Sequence, residues 1–114
     1  MKNKEDEERL LHMKNAIEKI NKYTADIEFD AFEENEMLQD AIFRNLKIIG
    51  EAAYKITNST KEIYSNIVWR KIEGLRHKLV HDYYKVDLEI VWQTRNKSLP
   101  ILLDDINTIL DDIK

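Results

Sequence analysis

The stretch L-Q-D-A-I-F-R-N-L-K-I-I-G-E-A-A-Y-K-I, from Leu38 to Ile56, decides the fold. Its apolar positions Leu38, Ile42, Leu46, Ile49, Ala53 and Ile56 step by 4, 4, 3, 4 and 3. That is the period of one helix face, and no strand can bury it. The same spacing recurs at Leu10, Met13, Ile17 and Ile20, at Val68, Ile72, Leu75 and Leu79, and at Leu99, Leu103, Ile106, Leu110 and Ile113. No stretch sustains period-2 alternation. The periodicity predicts helices over roughly 5–23, 32–57, 66–82 and 88–112. Four amphipathic helices on short connections predict an all-α fold, an antiparallel four-helix bundle.

Composition agrees. The chain has 114 residues, the size of a single domain over 1–114, and only two Gly and one Pro. A β-sandwich or barrel needs a turn every 8–12 residues and the Gly/Pro chemistry to make it, so that class is excluded. With 43% hydrophobic and 35% charged residues the chain reads as soluble and globular. The absence of Cys excludes a disulfide framework, a thiolate metal site and a Cys nucleophile. The charged start, M-K-N-K-E-D-E-E-R-L-L, has no apolar signal region, and no apolar run is long enough to span a membrane. A cytoplasmic address and no membrane partner are expected.

The net charge of −4 is unevenly spread: residues 1–40 carry −6, 41–60 carry +2, 61–85 carry +3 and 86–114 carry −3. An acidic pI of about 5.4 argues against a general nucleic-acid coat protein, and no DNA partner is expected. The basic segment 61–85 still suits a phosphate.

The predicted breaks have chemical causes. Asn58-Ser59-Thr60 is expected to end the second helix by side-chain competition with the backbone. Asp87 suits an N-cap for the fourth, and Pro100 predicts a kink or break near Ser98. Gly50 and Gly74 lie inside helical pattern, where each is read as a close helix crossing. Arg44, Asn45 and Glu51 are polar residues in the second helix, suited either to support of a site or dimer seam or to a solvated face.

Chemistry concentrates between Trp69 and Asp87, where Arg76, His77, His81, Asp82, Tyr83 and Tyr84 surround the apolar pair Leu79-Val80. Four readings compete. His77 and His81, at i and i+4, could share a metal ion, but Lys78 takes the place of the glutamate of the H-E-x-x-H pattern and discourages a divalent ion. Asp82 could orient His81 for nucleophilic catalysis, but Ser59, Ser65 and Ser98 all fall in expected loops or helix ends. Metal-free RNA cleavage needs only a base, an acid and a cation, because the 2′-OH is the nucleophile. Histidine suits the first two roles and arginine the third, which makes Arg76 and His81 the candidates. Finally, Arg76 and His81 could be a plain surface pair at the negative end of a helix dipole. At i and i+5 they lie about 140° apart on an ideal helix, whereas Arg76 and Tyr83 share a face. Either the helix distorts near His81 or a second copy of the chain completes the site.

These residues carry a resemblance. Arg76-x4-His81-x-Tyr83 resembles the R-x4-H-x-Y motif of HepT-like toxins of the HEPN ribonuclease superfamily. A-I-F-R-N-L-K-I-I-G-E-A-A (Ala41–Ala53), Ile67-Val68-Trp69, L-R-H-K-L-V-H-D-Y-Y-K-V-D (Leu75–Asp87), Ile90–Trp92 and Leu99-Pro100 follow in the family's order, over about residues 35–105. The resemblance implies a HEPN-type helical bundle working as a homodimer with its motifs at the interface. It implies a metal-independent endoribonuclease toxin without cofactor, with Arg76 and His81 catalytic and RNA as substrate. His77 follows the arginine where the family often has Asn, and with Asp82 it is a supporting candidate. Tyr83 matches the tyrosine that an MntA-type minimal nucleotidyltransferase antitoxin AMPylates in a type VII-like pair. The rival reading is a non-catalytic helical dimerisation or substrate-binding partner of a nucleotidyltransferase.

Overall fold

The computed structural model describes residues 3–81 and 87–113, with no side chains described from 77 to 81. The apolar face around Leu46 is one side of a 20-residue helix, α3 (Glu36–Lys55). In chain order the helices are α1 (Lys4–Tyr23), α2 (Phe29–Glu33), α3, α4 (Asn58–Ile63), α5 (Trp69–His81), α6 (Leu88–Gln93) and α7 (Leu99–Asp112), with a π-helical turn at Thr94–Ser98 between the last two. No strand occurs among the described residues. The chain is an all-α bundle.

The expected boundaries shift where polar side chains compete for backbone. The second predicted helix, 32–57, is two. Asn35 takes an extended conformation and accepts the Leu38 N–H at 3.0 Å, starting α3 afresh. Gln39 then donates back to the carbonyls of Phe32 and Glu33, both at 3.0 Å, closing the end of α2. The far end also differs. Ile56 and Thr57 are extended, so α3 stops before Asn58-Ser59-Thr60, and those three residues open α4 instead of ending α3. Pro100 has the consequence its chemistry demands. It sits in the first turn of α7, and the backbone before it widens into the π-helical turn. Asp87 caps α6 as expected, accepting from the Glu89 N–H at 2.9 Å.

Two polar anchors set the helix directions. Asp6, in the first turn of α1, is buried and accepts the Thr57 N–H at 3.1 Å and the Thr57 and Thr60 hydroxyls at 2.6 Å each. The start of α1 therefore lies beside the end of α3, and the two run antiparallel. Arg95, in the π-helical turn, donates from Nε to the Thr24 hydroxyl at 2.9 Å and from a terminal nitrogen to the Thr24 carbonyl at 3.2 Å. The end of α1 thus meets the start of α7, again antiparallel. Burial raises the Asp6 pKa, but the bonds from Thr57 and Thr60 and the nearby Arg9 cation outweigh it, and the carboxyl lies below its ordinary value.

One continuous core joins Leu10, Met13, Ile17 and Ile20 of α1 to Ile42, Leu46, Ile49 and Ala53 of α3 and to Ile106 and Ile109 of α7. Phe32 stacks on Trp92 at 5.0 Å, tying α2 to α6. Helix α3 packs against both α1 and α5. Fully burying each of these Leu or Ile side chains contributes about 2 kcal/mol, so this face holds the bundle.

Candidate active site

Arg76 sits on the third turn of α5, where that helix crosses α3 at Gly50. A Cβ on Gly50 would lie 2.5 Å from the Arg76 backbone nitrogen, so only glycine permits this approach. Gly74 differs: a Cβ there meets nothing within 4 Å, and the close crossing expected at it does not occur among the described residues.

One turn beyond Gly50, Tyr54 projects from α3 beneath the arginine. The guanidinium carbon stands 3.6 Å from the Tyr54 ring centroid, a stacked cation–π contact. Arg76 Nε is buried and has no hydrogen-bond partner among the described residues. No carboxylate among the described residues pairs with Arg76. Glu73, one turn earlier, is held by Lys61 of α4 at 2.8 Å. Lys61 also donates to the Tyr54 carbonyl at 3.3 Å. Trp69 anchors the start of α5, its indole N–H donating to the Tyr64 carbonyl at 3.1 Å. The arrangement is a guanidinium fixed by its face and without an anionic partner among the described residues, suited to gripping an anion.

Of the other sequence candidates, the backbone of His77 and His81 lies in α5, which stays α-helical to His81. Their side chains, and Asp82 and Tyr83 altogether, lie outside the described residues. Arg44 and Glu51 are exposed. Asn45 is not on a solvated face: it is buried, and its side chain donates to the Ala41 carbonyl of its own helix at 2.8 Å. The pairing of Arg76 with Tyr54, and the Lys61–Glu73 clamp, escape the sequence reading. A glycine and an aromatic at i and i+4 on α3 are the only trace of it.

The apolar stripe of α5 has a different fate from those of α1 and α3. Val68 is 61% exposed and Ile72 and Leu75 are only partly buried. With Ile90 and Ile101 they line an open groove of about 450 Å³ between α5, α6 and α7. Lys71 and Asp105 also line this groove and form no ion pair with each other. A second groove of about 390 Å³, between α1 and α3, is lined by Glu5, Glu8, Arg9, His12, Glu51 and Lys55. Among the described residues no three His, Asp or Glu cluster to hold a metal ion, and no helix is long and apolar enough to cross a membrane.

The chain has relatives among known proteins. Residues 13–109 match the family model described as ribonuclease HepT-like. The chain is 39% identical over 87 residues to a probable ribonuclease HepT of Thermococcus cleftensis, covering 76% of this chain and 79% of that one. It is 36% identical over 88 residues to a proposed RNase of Caldanaerobacter subterraneus, covering 77% of this chain and 79% of that one. It is also 35% identical over 104 residues to a Methanocaldococcus jannaschii protein named as a gamma-glutamylcyclotransferase and proposed RNase. That match covers 91% of this chain but about half (47%) of the relative's length. No solved structure matches the chain.

Proposed function

The chain belongs to the HepT-like ribonuclease family, and from that premise we propose that it is a metal-independent endoribonuclease, the toxin of a type VII-like toxin–antitoxin pair. The observation that carries the reading is Arg76, a guanidinium stacked on Tyr54 with no carboxylate partner among the described residues, on the same helix as His81. In the proposed reaction His81 removes the proton of a ribose 2′-OH, and that oxygen attacks the adjacent phosphorus. The bond from phosphorus to the 5′-oxygen breaks, leaving a cyclic phosphate and a 5′-hydroxyl that takes its proton from a second histidine. Arg76 binds the non-bridging oxygens as charge grows on them.

The second histidine comes from a second copy of the chain. Because α5 is α-helical to His81, positions 76 and 81 stand about 140° apart around its axis. The open groove supports the same assembly: its apolar wall lies on α5, and Lys71 and Asp105 on its lining, which form no ion pair with each other, carry opposite charges that a two-fold copy would match. His77 and Asp82 are assigned supporting roles. Tyr83 is assigned as the acceptor of AMP from an MntA-type nucleotidyltransferase. A phosphodiester attached there, two residues from His81, would compete with RNA for Arg76.

The test is cleavage of RNA by the purified protein in EDTA, its unmodified mass confirmed, beside Arg76→Ala and His81→Ala. Cleavage by the wild type alone supports the reading. No cleavage of any of several RNAs would move the assignment to a non-catalytic partner of a nucleotidyltransferase.

A further inference from the structure

An arginine that must hold a phosphate is disabled once a carboxylate neutralises it. Glu73 precedes Arg76 by three residues on α5, the spacing at which helical neighbours pair. In the structure Glu73 is already taken. Its carboxylate meets Lys61 Nζ at 2.8 Å, and the two side chains are only 23% and 15% exposed, so the pair is largely out of water. The same ammonium donates to the Tyr54 carbonyl at 3.3 Å and stands 6.0 Å from the centre of the Trp69 ring. One lysine thus touches the last turn of α3, the first turn of α5 and the acidic neighbour of Arg76. Tyr54, whose carbonyl it holds, is the residue whose ring lies under the Arg76 guanidinium.

We infer that Lys61 is a positioning residue of the proposed ribonuclease site: by sequestering Glu73 and steadying Tyr54, it keeps Arg76 uncommitted for an RNA phosphate. The inference rests on the assignment of Arg76 as the phosphate-binding group. Without the ammonium, the Glu73 carboxylate loses its partner, and Arg76 stands three residues further along the same helix face. The pair that then forms removes the cation from the reaction. Glu73 is thus harmless only while Lys61 occupies it.

The test compares wild type, Lys61→Met, Glu73→Gln, the double variant and Arg76→Ala on a fluorescently labelled RNA oligonucleotide, after thermal melts confirm folding. Lys61→Met is expected to lose about tenfold in kcat/KM, chiefly through KM, the scale of one competing ion pair. Glu73→Gln is expected to stay within about twofold of wild type, and the double variant to recover to that level. A structural role for Lys61 would leave the double variant as poor as Lys61→Met. Phenylglyoxal labelling, read by mass spectrometry, gives a measure independent of cleavage. Arg76 should react readily in wild type, more slowly in Lys61→Met and readily again in the double variant. Wild-type behaviour of Lys61→Met in both assays, or failure of Glu73→Gln to rescue it, overturns the inference. Undiminished cleavage by Arg76→Ala would instead overturn the site assignment, while the labelling result still decides whether Lys61 controls Arg76.

Discussion

Gly50→Ala adds one methyl group at the crossing of α3 and α5. Its carbon would lie 2.5 Å from the Arg76 nitrogen, 3.0 Å from its Cβ and 3.2 Å from its Cα. All three atoms belong to or hang directly from the α5 backbone, so no rotamer change relieves the clash. Ordinary contact begins at 3.4 Å, and α5 must therefore retreat by about 0.9 Å at this point. Overpacking of this kind costs roughly 1–3 kcal/mol, and alanine in a helix returns about 1 kcal/mol over glycine. The net loss is about 1 kcal/mol, or roughly 4 °C in Tm for a chain of this size. Activity should suffer more. Tyr54 stays on α3 while Arg76 moves with α5, so the stack opens, and a displacement near 1 Å at a reacting group costs about a hundredfold in rate. Gly74→Ala is the control: with nothing within 4 Å it should gain up to about 1 kcal/mol and keep full activity. Thermal melts and RNA cleavage of both variants check the pair. Equal Tm shifts, or full activity in Gly50→Ala, would refute the argument that this glycine sets the position of Arg76.

Three further outcomes are expected. Asp6→Ala should lower stability by roughly 3 kcal/mol in urea titration, since it removes the acceptor of the part-buried Thr57 N–H and of the Thr57 and Thr60 hydroxyls. Because the folded-state pKa of Asp6 is depressed, its contribution is fully present above the ordinary carboxylate value near 3.8 and fades as pH falls through the lower folded value; Asp6→Asn should flatten that part of the acid limb of a Tm–pH curve. Ile101→Glu, at a 64% exposed position in the α5–α7 groove, should leave the melting of the isolated chain within about 0.5 kcal/mol yet, if the proposed dimer forms through this groove, shift its sedimentation toward monomer; a dimer unchanged by the substitution would place the interface elsewhere, and a monomeric wild type would refute the proposed assembly.

The sequence alone determined the class and the number of long helices, because burial at period 3.6 is a local property that Leu10, Ile17, Leu46, Ile49 and Ile106 satisfy inside the core. It also placed the Asp87 cap and the break at Pro100, since both depend on the chemistry of a few consecutive residues. It misplaced the ends of α3, where Gln39 and Asp6 reach backbone groups 6–7 and 51 residues away. It could not tell Gly50 from Gly74, because identical residues in similar helical contexts differ only in what crosses them. The stripe Val68, Ile72 and Leu75 has the periodicity of a core face, but periodicity says only that a face is apolar, and the other described residues leave this one open. The state of Arg76 belongs wholly to the tertiary structure. Its stack on Tyr54 and its freedom from Glu73 arise from α3, α4 and α5 meeting at one point, and a contact between helices is written in no single stretch of the chain.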